Sequence, residues 1–351
     1  MSMLFACGRY HNLIERAGVV TLSPAVDAAF PTANLWDGRV SRATRHGTNG
    51  ANPSITVDLA AFVSIAGTVE IQVRAGERRT VTNTGAGSTV TIQNLATKKY
   101  LAAGGASWQA GAVAAITNAN TINYQVESAT VCQAPVVTLR VVIAGATTCA
   151  DWPTCNAAAV WGHNLDPGLT VEMRSSTDDF AVSNVLEVTG AIRQPSFLLF
   201  DATPSYNRYL RLAFTGTNQA TPWYAEVIPC YMETAVTTLG MDHEVTYDWA
   251  QVRNDGAYGE PHVYSLATQP RRLAKWRFNM DVAREREVRE EVVFRCQGGA
   301  YPLLLVPTST DVPPPVLYGR LDSRWTTTRN FIDIWSTDLT LSEGSAPTPL
   351  T

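Results

Sequence analysis

Apolar and polar residues alternate along most of this chain with a period of two. In SITVDL (Ser54–Leu59), Ile55, Val57 and Leu59 fall on one side, and in TVEIQVR (Thr68–Arg74) Val69, Ile71 and Val73 do the same. YLRLAF (Tyr209–Phe214) and AKWRFNM (Ala274–Met280) repeat the arrangement. Such alternation predicts β-strands with one buried face. Between these stretches Gly, Asn, Pro and Thr cluster, which is turn chemistry. One segment breaks the period. DVAREREVREEVVFRCQGG (Asp281–Gly299) places Val288, Val292 and Cys296 at steps of four, and Glu285 precedes Arg289 as Glu291 precedes Arg295 by the same step. That pattern predicts a helix with a solvated charged face, started by Asp281 and stopped by Gly298 or Gly299.

The segment from Arg78 to Asn120 is rich in Thr, Ala, Gly and Asn and holds no acidic residue. Val90, Ile92, Leu95, Tyr100, Leu101 and Trp108 can still supply a core, so short strands are expected there. With the strand-rich run that follows, residues 63–148 read as a small β-sandwich of their own. At 351 residues the chain is longer than one core usually supports. Its 45% hydrophobic and 17% charged residues are the reverse of a disordered composition. A formal net charge of −4 argues against nucleic-acid binding as its main task. Apolar runs such as PLLLVP near Leu304 fall far short of the ~20 residues that span a bilayer, so no membrane insertion is expected. The N-terminal stretch has no basic start before its brief apolar run, and synthesis and folding in a cytoplasm are expected.

WGHNLDPGLTVEMRSSTDDF (Trp161–Phe180) gathers a histidine, an arginine and several acids, and asks for a chemical reading. Asp166-Pro167-Gly168 is turn-forming: Asp bonds nearby backbone, Pro fixes φ and Gly allows positive φ. His163 is expected to satisfy backbone groups beside that turn. Asp178 and Asp179 are expected to make a second turn, with Phe180 returning to the core. No GxSxG or HExxH is present. A carbohydrate-active enzyme would need paired carboxylates ~5–10 Å apart across a cleft. No catalytic residue and no cofactor is expected. The six cysteines, Cys7, Cys132, Cys149, Cys155, Cys230 and Cys296, are scattered, which favours buried free thiols. Cys149 and Cys155 could also bridge under oxidant, or hold zinc with His163, although no second such pair exists.

With 63–148 set aside, the flanks join. ANLWDGRVSRA (Ala33–Ala43) before NPSITVDLA (Asn52–Ala60), then AAAVWGHNLDPGLTVEMRSSTDDF, then RYLRLAFTGTNQATPWYAEVIPCYME (Arg208–Glu233), resembles discoidin-like, galactose-binding jelly rolls. Val-Trp-Gly-His-Asn-Leu with the later Arg-Tyr-Leu-Arg-Leu strand is similar to structural proteins of tailed bacteriophages, where such a jelly roll often carries an inserted β-domain. PRRLAKWRFNM, the helix, AYPLLLVP (Ala300–Pro307), VLYGRLDS (Val316–Ser323) and FIDIWSTDLTLSE (Phe331–Glu343) resemble the tail-tube-like domain of distal tail and related tail-tip proteins. The resemblance implies a mainly β chain: a discontinuous jelly roll at 1–62 and 149–235, the inserted sandwich at 63–148, a tail-tube-like domain with one helix at 236–345, and a tail at 346–351. One departure stands out, because distal tail proteins place the ring-forming domain first and here it comes last.

The resemblance implies sites as well. Loops at one end of discoidin-like modules bind sugars by aromatic stacking and by Arg, Asn and His hydrogen bonds. Trp36, Arg39, Arg42, Arg45 and His46 are the matching candidates, joined by Trp223 and Tyr224, although Trp36 can equally be core and the arginines paired with acids. Related modules hold structural calcium, which needs six to eight oxygens, and Asp37 and Glu226 could match. In RRLAKWRF (Arg271–Phe278), Arg272, Lys275 and Arg277 interleave with Leu273, Trp276 and Phe278. That can be read as a strand for single-stranded nucleic acid or as an assembly interface, and the acids at Glu285, Glu287, Glu290 and Glu291 favour the interface. The function implied is a non-enzymatic virion structural protein at the tail tip or baseplate, assembled in the host cytoplasm. Its partners would be itself in a ring, hexamer or trimer, and other tail proteins, with a host-surface glycan as an optional ligand and no specific nucleic acid. A host-glycan adhesin and a head or collar decoration protein are the alternatives.

Overall fold

The computed structural model describes residues 4–7, 13, 19–35, 43–84, 87–105, 107–111, 115–117, 121–127, 136–193, 196–234, 240–248, 251–255, 261–265, 271–294, 296, 302–306, 316–321, 326–329 and 334–343. The chain is mainly β, and its strands build several antiparallel sheets. A front sheet runs in the order Val185–Ala191, Thr170–Ser176, Tyr209–Thr215, Ser54–Asp58, Val20–Ser23. A middle sheet runs Ser196–Ser205, Cys155–His163, Trp223–Cys230, Thr44–Arg45. They share one core, with Ile55, Val57, Leu210, Leu212 and Phe214 from the front and Ala158, Val160, Phe197, Leu199 and Val227 from the middle. The period-two pattern of Ser54–Asp58 and Tyr209–Thr215 returns as alternating burial, as a one-sided sheet requires.

The middle sheet is different. Every residue of Cys155–His163 and of Trp223–Cys230 is buried. Its second face, carrying Ala157, Ala159, Trp161, Ala225 and Ile228, packs on Leu304, Val306, Val316 and Tyr318 from the C-terminal part of the chain. Small side chains at Ala157, Ala158 and Ala159 let two layers close on one strand, which close packing of an interior demands. The Trp161 and Tyr318 rings lie 6.2 Å apart, and Ser196 Oγ donates to the Val316 carbonyl at 3.3 Å.

That third layer runs in the order Glu233–Thr234, Leu4–Cys7, Pro302–Val306, Leu317–Leu321, Trp335–Glu343, Arg271–Met280, Gly240–Asp248, with Thr326–Arg329 also on Trp335–Glu343. Leu4 pairs with Val306 and Cys7 with Leu303, so the first strand lies in the C-terminal sheet and not with the jelly roll assigned to 1–62. The pairing joins opposite ends of the chain, and no local pattern encodes it. Between Gly240–Asp248 and Arg271–Met280 stands a ribbon of Gln251–Asp255 and Pro261–Ser265 that, among the described residues, pairs with no third strand. The expected helix is present, α-helical over Val282–Val288 and then π-helical over Arg289–Phe294. The Glu285–Arg289 pair forms at 3.5 Å. Val293, within the π turns, is buried, as is Cys296.

Residues 62–153 form a further sheet around their own core of Val73, Val81, Val90, Ile92, Leu139 and Val141. Its spine is the long strand Val136–Pro153 paired with Phe62–Arg74. The early part of that spine also pairs with Thr89–Asn94 and the late part with Arg78–Asn83, the register shifting between Ile143 and Thr148. The spine therefore passes from one layer to the other at an irregularity, a usual way to make a corner. Gly105 closes a turn with φ of 75°, and a Cβ there would sit 2.2 Å from Ile122 Cγ2 and 2.7 Å from the Asn123 carbonyl oxygen. Gly105→Ala should therefore destabilise the chain by about 1–3 kcal/mol in urea unfolding. A loss within error of zero would mean the turn relaxes freely.

Where this unit meets the jelly roll, a polar cluster is buried. Arg79 donates from Nε to Asp151 Oδ1 at 2.6 Å and from Nη1 to Glu77 Oε1 at 2.5 Å, and the Tyr124 hydroxyl donates to Asp151 Oδ2 at 2.6 Å. Burial pushes the Asp151 carboxyl above its ordinary value against the pull of Arg79. Burial also opposes the charge on Arg79, but Asp151 and Glu77 outweigh it and hold the guanidinium ionised.

Candidate functional site

The loop end of the jelly roll gathers most of the residues singled out above. Trp36, Asp37, Arg39 and Arg42 lie outside the described residues. The base of their loop is described: Thr32–Leu35 is a 3-10 turn, Leu35 is buried in the jelly-roll core, and Asn34 Nδ2 donates to the Ala43 carbonyl at 2.8 Å. The strand Thr44–Arg45 then pairs with the closing strand, Arg45 opposite Trp223 and Thr44 opposite Tyr224.

This register brings Arg45, His46, Trp223 and Tyr224 together but engages them with the protein. Arg45 donates from Nη2 to Asp27 Oδ2 at 2.6 Å, and its guanidinium lies 4.2 Å from the Phe30 ring centroid. The Arg45 bond, then the Ala29 amide, hold the Asp27 carboxyl below its ordinary value. His46 has Nδ1 2.7 Å from the Pro24 carbonyl and Nε2 3.1 Å from the Tyr224 hydroxyl. A carbonyl only accepts, so Nδ1 carries the proton and Nε2 accepts from the phenol. Tyr224 is wholly buried and Trp223 nearly so. The Trp223, Tyr224 and His46 rings are therefore interior, Tyr224 stacked on Phe214 and His46 bonded to the Pro24 carbonyl.

His163 occupies the place read for it beside the turn. Nε2 lies 2.9 Å from the Arg193 carbonyl, and Nδ1 accepts the Leu165 amide at 3.2 Å. The ring is neutral with its proton on Nε2, and burial pushes its pKa down to about 4 against the Arg193 carbonyl. From the turn, bonds spread to neighbouring loops. Asn164 accepts the Trp223 amide at 2.8 Å and donates to the Thr221 carbonyl at 2.9 Å. Asp166 donates its amide to Asn218 Oδ1 at 2.7 Å and accepts the Gln219 amide at 2.6 Å. Asn49 Nδ2 donates to the Asn218 carbonyl at 2.7 Å, so Asn218 ties three loops. Sequence reading missed that hub, because an Asn in GTNQATP looks like any other turn residue.

The second turn differs from expectation. Asp178 caps it, accepting the Val182 and Ser183 amides, but Phe180 does not return to the core. It is half-buried with φ of 64°, and the Arg211 guanidinium lies 3.8 Å from its ring centroid. The left-handed backbone at Asp179 and Phe180 turns the ring out over the front sheet.

For calcium, Glu226 is buried opposite Trp161, and its suggested partner Asp37 is not described. Among the described residues no group of three or more His, Cys, Asp or Glu side chains gathers to hold a metal. Cys149, Cys155, Cys230 and Cys296 are buried thiols outside any disulfide among the described residues, and burial pushes the Cys149 and Cys155 thiols up to about 12. Cys155 Sγ points to the Ala157 and Cys230 carbonyls, not to zinc-ligand geometry. Of the cation strand, Lys275 and Arg277 are exposed on one face, where Arg277 meets Asp338 at 2.9 Å. Arg272 falls at the alternate register position, opposite Tyr247, and its side chain lies outside the described residues. Lys275 stands opposite Glu244 and Thr340, and Arg277 opposite Asp242 and Asp338. The exposed cations are thus flanked by acids on neighbouring strands, an arrangement that weakens any hold on phosphate.

No family model matches the chain, and no curated protein sequence does. Among solved structures, a fucolectin from the serum of the striped bass, Morone saxatilis, is similar at 14% identity over 64% of this chain and 99% of that one, with a TM-score of 0.17. An agreement that loose locates no binding site on this chain.

Proposed function

We propose that the chain is a non-enzymatic structural protein of a tailed-phage virion, assembled in a ring around the tail tip or baseplate, with its jelly roll and inserted sandwich carried outward. The observation that supports this best is the layered join between the middle sheet and the C-terminal sheet. Trp161, Ala225 and Ile228 pack directly on Leu304, Val306 and Tyr318, so whatever holds the C-terminal sheet also fixes the jelly roll. The strand Arg271–Met280, the helix and the strands Pro302–Val306, Leu317–Leu321 and Trp335–Glu343 follow the order of the resemblance to tail-tube-like domains, with Thr326–Arg329 as an added strand. Among the described residues the ribbon of Gln251–Asp255 and Pro261–Ser265 pairs with no third strand, and such a ribbon gains stability from packing on a partner. A closed ring of identical contacts leaves no interface unmatched.

The test is gold labelling with antibody to the purified chain on particles from a phage lysate. Label at the tail end is the expected result. Label on the head or collar would overturn the tail position and leave a decoration role, and no label on intact or disrupted particles would overturn the virion reading altogether.

A further inference from the structure

Two histidines sit within one buried aromatic cluster under the loop end of the jelly roll. His163 and Tyr224 are register partners on adjacent strands, and the Tyr224 hydroxyl reaches His46. Phe197 meets His163 edge-on at 5.2 Å, and Phe214 lies against both Phe197 and Tyr224. Each ring joins separate segments: His46 links Pro24 to Tyr224, and His163 links Arg193 to Leu165.

Both nitrogens of each ring are engaged, three of them by groups of fixed polarity, the Pro24 and Arg193 carbonyls and the Leu165 amide. The decisive one is His163 Nδ1. Its partner is the Leu165 amide, which can only donate. A proton on Nδ1 would set N–H against N–H inside the core, and the Leu165 bond must break. At His46 a second proton on Nε2 would turn the Tyr224 hydroxyl from donor to acceptor, leaving its hydrogen to find a new partner at a wholly buried site.

We propose that this pair makes the loop end of the jelly roll an acid-released clasp: protonating His163 breaks the Leu165 bond and frees the 163–169 turn, with the Asn164, Asp166 and Asn218 bonds, while the sheets stay intact. The bonds at risk lie in turns at one end. The strands behind them are held by the jelly-roll core and by the layer beneath. Local opening of such a segment needs less free energy than global unfolding.

Charged and titratable groups surround both rings. Near His163 stand Asp166, already bonded to the Gln219 amide, and Arg193, whose side chain is exposed. Tyr224 and Glu226 are the titratable groups on the neighbouring strand, Tyr224 opposite His163 and Glu226 buried two positions on, opposite Trp161. Near His46 the Asp27–Arg45 ion pair sums to zero. Desolvation lowers both histidines, His163 to about 4. A histidine whose pKa is depressed in the closed state binds its proton more readily once open. The clasp is therefore fully closed above about pH 6.5 and loosens as pH falls toward 4, by roughly tenfold in the opening equilibrium per pH unit.

Hydrogen exchange of the intact chain between pH 7 and 4.5, corrected for intrinsic rates, tests this. Protection at the Leu165, Asp166, Gln219 and Trp223 amides should fall by roughly tenfold per unit below pH 6.5, while Ala158 and Leu212 keep theirs. His163→Gln, which can reproduce both bonds without titrating, should remove the dependence at Leu165, the amide bonded to His163. Should that variant misfold, the ring-nitrogen shifts of His163 in the unsubstituted chain decide, since the proposal requires it to stay Nε2-protonated at neutral pH and to titrate together with the loss of protection. Flat protection down to pH 4.5, equal loss at Ala158 and Leu212, or titration of His163 near 6.5 with the turn amides still protected would each overturn it.

Discussion

Replacing Arg79 with methionine is expected to lower stability by about 3–5 kcal/mol in urea unfolding, with the loss localised by hydrogen exchange to the amides of Val81 and Val141. The reason is an imbalance left behind. Arg79 is almost wholly buried between Asp151 and Glu77, themselves buried or nearly so. Methionine keeps much of the volume but removes the guanidinium from which Asp151 Oδ1 and Glu77 Oε1 both accept. Tyr124 continues to donate to Asp151, and the Arg74 amide to Glu77, so these hydrogen bonds survive while the Arg79 charge is lost. Burial already pushes Asp151 upward, and without Arg79 it rises further. An acid raised in this way takes up its proton more readily folded than unfolded. The penalty is then fullest above its folded pKa and shrinks as pH falls toward the ordinary carboxylate range near 3.8. Adding Glu77→Gln and Asp151→Asn to the methionine variant should recover part of the loss. A loss under about 1 kcal/mol at neutral pH would mean that water enters the cluster and the charges are not desolvated.

This cluster shows where local reading stops. The Arg78–Asn120 segment contains no acid, so Arg79 has no partner within it. Glu77 stands just before it, and Asp151 lies across the sheet on the returning strand, reached because the register pairs Asp151 with Val81 and Pro153 with Arg79. Alternation told which faces of Ser54–Asp58 and Tyr209–Thr215 are inside, because one wet face leaves a period of two. It could not tell that Cys155–His163 has two dry faces, since the run of alanine and valine looks the same whether one layer or two cover it. The helix was legible from Glu285 and Arg289, but the π turns after Val288 were not, nor was the burial of Val293.

At the candidate site the division is similar. Asp166-Pro167-Gly168 announced its turn, and the role of His163 beside it followed from that turn. The grouping of Arg45 and His46 with Trp223 and Tyr224 came with the resemblance. Their inward direction could not, because Asp27, Phe30 and Pro24, which take up the polar and cationic groups, precede them on a loop with no periodicity of its own.

The join between layers yields the second large effect. Trp161→Ala should lower stability by about 3–5 kcal/mol, the range for emptying a buried aromatic site. Its side chain is among the largest fully enclosed, and it faces Tyr318 across the interface between the middle and C-terminal sheets. The alanine neighbours Ala157, Ala159 and Ala225 have no flexible length with which to fill the space, so collapse would have to move whole strands. The effect should also be directional. The jelly-roll core lies on the other face and keeps Ala158, Val160 and Phe197 in contact with Leu212 and Phe214. Calorimetry should therefore show the C-terminal sheet melting in an earlier, separate transition while the jelly roll keeps most of its stability. Ala158→Gly, on the opposite face of the same strand, should instead weaken the jelly-roll transition. If Trp161→Ala lowers one undivided transition, the three layers fold as a single unit. If it changes nothing, the contact between Trp161 and Tyr318 does not bind the layers, and the chief support for a jelly roll fixed to a ring-forming sheet is gone.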